Sequence, residues 1–150
     1  MGLIYMEEQL NKLIPLIKMN VGKLEKDMNR ELMQYGITFS QSRVIILLYD
    51  SVYGNLSMKE LEKKFQVTQQ TMLGIVKRLE KKELVESYSD PLDLRVKRIH
   101  LTESGQDMGK KIFESFHETQ MKIDQALTQQ EQETLTFLLQ KLYVSIAQPG

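Results

Sequence analysis

The chain has 150 residues, 41% of them apolar and 27% charged, a composition that supports one ordinary globular core and argues against wholesale disorder. Cysteine is absent and the only histidines are His100 and His117, which excludes disulfides and thiolate chemistry and leaves no recognisable zinc set or hydrolytic triad, so no cofactor and no enzymatic reaction is expected. The formal net charge is zero but uneven: residues 1–37 carry five Lys/Arg against five Asp/Glu, residues 38–102 eleven against eight, and residues 103–150 four against seven. A basic middle between neutral and acidic ends is the electrostatic footprint expected of a polyanion-binding segment. No run of about 18 apolar residues suggests a membrane span. The first residues lack a basic leader pattern, and Met6 stands where a myristoylation signal has Ser or Thr, so a cytoplasmic protein with no membrane partner is expected.

Apolar side chains at Leu10, Leu13, Ile14, Ile17, Val21, Leu24, Met28 and Leu32 recur in steps of three and four, which predicts a long amphipathic helix over 6–34, kinked or broken near Pro15. Gly36 is a natural left-handed stop. Thr38-Phe39-Ser40 offers an N-cap for a second helix, 41–53, whose run Val44-Ile45-Ile46-Leu47-Leu48 implies burial nearly all round. Ser57 followed by Glu60 forms a capping box for a short helix over 58–65. Thr68 caps a further helix from Gln69 to about Lys82, with Met72, Ile75, Val76 and Leu79 inward.

After Leu84 the period changes to β-prone alternation in Val85–Ser89 and Arg95–Leu101, around the turn composition Asp90-Pro91-Leu92-Asp93, which predicts a hairpin. A helix follows from Thr102-Glu103-Ser104-Gly105 to about Ala126, with Met108, Ile112, Phe113, Phe116 and Ile123 inward. Thr128 and Glu131 form another capping box, and Leu135, Leu138, Leu139, Leu142, Tyr143 and Ile146 stripe the last helix.

Two helices joined by a tight turn and followed by a two-stranded hairpin spell a winged helix-turn-helix, in which the second helix enters the DNA major groove and the hairpin reaches backbone or minor groove. Gln69, Gln70 and Thr71 stand at the N-terminal end of that second helix, where bases are read; glutamine can pair bidentately with adenine and threonine can meet a base edge or a thymine methyl. Lys77, Arg78, Lys81 and Lys82 supply cations for phosphates if they face outward, and Arg95, Lys97 and Arg98 flank the hairpin tip.

The segments Ser57-Met58-Lys59-Glu60-Leu61, Val67-Thr68-Gln69-Gln70-Thr71 and Val76-Lys77-Arg78-Leu79-Glu80-Lys81-Lys82 resemble the DNA-binding half of MarR-type winged-helix regulators. The stretch from Asp90-Pro91-Leu92-Asp93-Leu94-Arg95 to Leu101-Thr102-Glu103-Ser104-Gly105 resembles that family's wing and the start of its next helix. Length and helix order extend the resemblance to the whole chain. The fold it implies is mainly α with a small β-hairpin wing: a winged helix-turn-helix over 38–102, flanked by N- and C-terminal dimerisation helices over 1–37 and 103–150, all in one 1–150 domain. The function it implies is a homodimeric repressor on a pseudo-palindromic double-stranded DNA operator, released by a small-molecule effector. In that scheme Thr68, Gln69, Gln70, Thr71, Lys77, Arg78, Lys81, Arg95 and Lys97 contact DNA, Arg95 enters the minor groove, and Asp93 braces the wing by pairing with an arginine.

Three residues depart from the pattern. Leu94 stands where a second wing arginine is common, Glu83 where a glycine closes the recognition helix, and Gly74 lies inside that helix. The competing readings are plain: the lysines of 77–82 as a solvated face, Asp90 and Asp93 as turn residues rather than metal ligands, His100 and His117 as structural or surface residues. The functional alternative is a winged-helix module for protein interaction, with DNA binding weak or lost.

Overall fold

The computed structural model describes residues 2–147. They divide into two compact units, one ending at Ser115 and the other beginning at Phe116. The first unit holds α1 (Gly2–Leu10), α2 (Leu13–Gln34), α3 (Phe39–Tyr49), β1 (Asn55–Ser57), α4 (Met58–Phe65), α5 (Gln69–Lys81), β2 (Val85–Asp90), β3 (Asp93–Leu101) and the start of α6 (Glu103–Ala126). The second holds the rest of α6 and α7 (Gln129–Ala147).

The helix boundaries follow from local chemistry. Pro15 does not kink a continuous helix: the break falls at Asn11-Lys12, and the proline occupies the first turn of α2, where its missing N–H has no helical acceptor to lose. At the other end of α2, Ile37 N–H donates to Leu32 O and Gly36 N–H to Met33 O while Gly36 takes φ 65°, a Schellman stop. Thr38 and Gln41 cap α3 reciprocally, as Ser57 and Glu60 cap α4. α3 stops at Tyr49 rather than at the expected Tyr53; Gly54, with φ 71°, closes the following turn and delivers the chain into β1.

β1 was not expected. It pairs antiparallel with β3, matching Leu56 to Ile99, so the hairpin becomes a three-stranded sheet of order β1-β3-β2. The core lies between this sheet and the helices: Val44, Ile45 and Leu48 of α3, Leu61 of α4, Met72, Val76 and Leu79 of α5, Ile99 of β3 and Ile112 of α6 are all buried. Ile46 and Leu47 are half-buried, so the apolar run of α3 is enclosed on most sides but not all. α6 approaches closely because two of its positions carry no side chain; a Cβ on Gly105 would fall 2.0 Å from Leu84 O, and one on Gly109 2.7 Å from the Tyr49 ring. Phe113 is exposed rather than inward, its ring 6.3 Å from that of Tyr49.

In the second unit, Thr128 and Glu131 form the expected capping box at the head of α7. α7 buries none of its residues, and Leu135, Phe137, Leu138, Leu139, Tyr143, Val144 and Ile146 are all exposed.

Candidate nucleic-acid interface

The turn that presents α5 is built by a left-handed residue and, two positions on, a helix cap. α4 ends with Gln66 at φ 53°, and Val67 N–H reaches back to Glu62 O. Thr68 then caps α5: its hydroxyl accepts the Thr71 N–H at 3.2 Å and donates to the Thr71 hydroxyl at 2.9 Å. Thr68 is therefore first a helix cap, and its bond to Thr71 fixes where that second hydroxyl sits. Both lie exposed at the positive end of the α5 dipole, where a phosphate is favoured.

Buried Met72, Ile75, Val76 and Leu79 define the inner face of α5. Gln69, Gln70, Thr71, Lys77, Arg78 and Lys81 are exposed. Among the described residues, none of Gln69, Gln70, Lys77, Arg78 and Lys81 is held in an intrachain hydrogen bond or ion pair, so their donors and charges are available to a ligand. Lys82 differs. Its ammonium donates to Gly36 O and to Gln41 Oε1, tying the end of α5 to the start of α3 and removing it from the phosphate-binding set.

α5 ends on Glu83 at φ 60°, with Glu83 N–H donating to Glu80 O and Leu84 N–H to Leu79 O. This is a Schellman stop made without glycine, at a cost of about 1 kcal/mol in an L-residue. It turns the chain directly into β2, whose Ser87 hydroxyl donates to the Glu80 carboxylate.

The wing register runs evenly from Val85↔Leu101 to Ser89↔Lys97, then jumps to Asp90↔Asp93. Leu94, Arg95 and Val96 thus fall in a bulge, which re-aims their side chains out of the ladder. Arg95 is 90% exposed, and Asp93 orients it through a two-point contact: Nε donates to Oδ1 at 3.0 Å and Nη2 to Oδ2 at 3.2 Å. The arginine that Asp93 pairs with is thus the exposed wing arginine itself. That pairing holds the Asp93 carboxyl below its usual 3.8. Lys97 is exposed one register step from the bulge.

Arg98, read from sequence as a cation near the tip, is instead a structural tie. Its Nε donates to Asp90 Oδ2 at 2.6 Å and its Nη1 to Asn55 Oδ1 at 3.2 Å, linking both strands of the hairpin to β1. Asp90 also accepts the Leu92 N–H at 2.8 Å, closing the tip. The guanidinium holds the Asp90 carboxyl below its ordinary value, and Asp90 in turn raises Arg98. The bond to Asn55 was hidden from sequence reasoning because it depends on β1, whereas the Asp90–Arg98 pair lies within the hairpin itself. The signal was an acid eight residues before an arginine across a predicted hairpin.

A capped, tightly turned helix pair with an outward polar and basic face, followed by a braced wing carrying an exposed arginine, defines a winged helix-turn-helix transcriptional regulator of the DNA-binding class. This chain belongs to the MarR family, whose model matches residues 35–95. It is similar to the uncharacterized HTH-type transcriptional regulator YsmB of Bacillus subtilis (strain 168), with 32% identity over 116 residues covering 69% of this chain and 78% of YsmB. Among solved structures it is similar to the S. aureus MepR–DNA complex, with TM-score 0.81 and 27% identity over 89% of this chain and 98% of that one. It is also similar to S. aureus MepR in its DNA-binding conformation, with TM-score 0.79 and 27% identity over 87% and 96% of the two chains.

Proposed function

We propose that this protein is a homodimeric repressor that binds a pseudo-palindromic operator and leaves it when a small-molecule effector binds. The observation that carries the reading is the division of labour on α5: four inward side chains are buried, while Gln69, Gln70, Thr71, Lys77, Arg78 and Lys81 are exposed on the other faces. In this reading α5 lies in the major groove, with Gln69, Gln70 and Thr71 against base edges and Lys77, Arg78 and Lys81 against phosphates. Arg95 and Lys97 reach the flanking minor groove and backbone, with Asp93 holding the guanidinium until DNA competes for it.

The exposed apolar stripe of α7 and the apolar side chains of α1 and α2, among them Leu3, Ile4, Leu13 and Ile14, support the dimer, because so much apolar surface is costly on a lone small chain. A two-fold pair of recognition helices sets half-sites about 10 base pairs apart. Occupying a promoter then represses it. The similarity to MepR, a regulator solved on DNA and in a DNA-binding conformation, supports the DNA-binding part of this reading.

Selection from random-sequence DNA on the purified chain tests this. Enrichment of an inverted repeat with half-sites about one helical turn apart is the expected result. Enrichment of a single half-site, or of none, contradicts the dimeric operator.

A further inference from the structure

Gly74 sits in the middle of α5, half-exposed. At 100° per residue it falls on the side opposite Met72, Ile75, Val76 and Leu79, and shares a face with Gln70, Lys77, Arg78 and Lys81. Folding does not ask for a glycine there. A Cβ at that position would meet nothing nearer than Arg78 Nη1 at 3.7 Å, an ordinary van der Waals contact. Gly105 and Gly109, by contrast, are required by backbone and ring atoms of their own chain. Gly74 has helical backbone geometry with no positive φ, and glycine weakens a helix interior relative to alanine. Its one consequence on the outer face is a shallow notch between Gln70 and Lys77, with the Arg78 guanidinium beside it.

We propose that Gly74 is the point of closest approach between α5 and DNA, and that its notch seats the C5-methyl of a thymine. This inference rests on the reading of α5 as the recognition helix. The floor of the notch is the glycine Cα, whose flanking N–H and C=O belong to the helix ladder, so it offers no donor or acceptor to a polar base edge. The group that protrudes into the major groove and asks for none is the thymine methyl. Gln70, on one side, then meets the polar edge of a neighbouring base, while Lys77 and Arg78 on the other side stay with the phosphates.

The test uses the full-length chain and the DNA site selected on it. Each thymine of the half-site is replaced in turn by uracil, which removes the methyl alone, and the series is measured on wild type and on Gly74→Ala. Wild type is expected to lose about five- to tenfold in affinity at one thymine per half-site, within the range of a single base contact. Gly74→Ala is expected to melt at a higher temperature, to bind the thymine site about tenfold or more weakly, and to lose the thymine–uracil difference. Equal binding by Gly74→Ala with the same uracil penalties overturns the proposal, as does a wild type indifferent to every uracil. If wild type selects no site, the recognition-helix reading itself fails, and this inference with it.

Discussion

The winged segment and α7 are built from similar fractions of apolar side chains and end in opposite states. In α5 every inward residue finds a neighbour: Met72, Val76 and Leu79 are 0–1% exposed, packed among α3, α4 and the sheet. In α7 the stripe is equally regular, yet Phe137 is 62% and Ile146 73% exposed, Leu142 is only half-buried, and no residue of the helix is fully buried. A periodic apolar stripe therefore states that a face is to be covered, without stating by which chain. In the winged segment the partners follow within the same sequence; on α7 the proposed partner is a second copy.

Several substitutions sharpen that contrast. The largest effect on folding is expected from Gly105→Ala and Leu79→Ala, the first driving a methyl into Leu84 O and the second opening a cavity worth about 2–5 kcal/mol. Chemical denaturation at fixed protein concentration measures both, and a loss under 1 kcal/mol for Leu79→Ala would contradict the packing described here. Leu138→Glu on α7 should do the reverse. It should leave the unfolding of an isolated chain within about 0.5 kcal/mol of wild type while abolishing the dimer in sedimentation. A variant that stays dimeric breaks the assignment of α7.

On the DNA side, Gln70→Ala is expected to relax preference at one base position by about 1–3 kcal/mol in a binding series over mismatched sites. Glu83→Gly should raise stability by about 1 kcal/mol, read from the denaturation midpoint, by relieving the left-handed position without touching the reading face.

The smallest effect is acid-dependent. Asp90 and Asp93 are both held below 3.8 in the folded chain, by Arg98 and Arg95 respectively. A carboxylate more acidic when folded stabilises the fold above its unfolded value, and that contribution disappears as pH falls through the lower folded value. Asp90→Asn should therefore cost stability at neutral pH, with the difference from wild type starting to shrink only below about pH 4 and vanishing as pH falls through the lower folded value. Parallel curves across that range would show that the Asp90–Arg98 tie is not what holds the tip.

Much of this architecture was legible because it is local. Thr38, Ser57, Thr68 and Thr128 all cap as their sequence contexts indicate, since a hydroxyl three residues before an N–H needs no tertiary help. The inward positions of α5 were legible from period alone. β1 was not, because three residues carry no period, and their partner Arg98–His100 lies some forty positions downstream. Missing β1 also hid the bond from Arg98 to Asn55 that completes the wing's main brace. The role of Lys82 was open for a related reason: composition gives a lysine's charge, and only packing shows that Gly36 and Gln41 already hold it.

The central claim is that α5 and the wing form an electrostatic and base-reading surface for DNA. Fluorescence anisotropy of the selected site, titrated with salt on wild type and Arg95→Ala, tests it most directly. A dimer making about six to ten phosphate contacts should show a log–log slope of roughly −5 to −9, and Arg95→Ala a weaker binding constant with a visibly shallower slope. A flat slope in wild type, from protein that is folded and dimeric, would contradict the account and identify the winged segment as a surface for proteins rather than DNA.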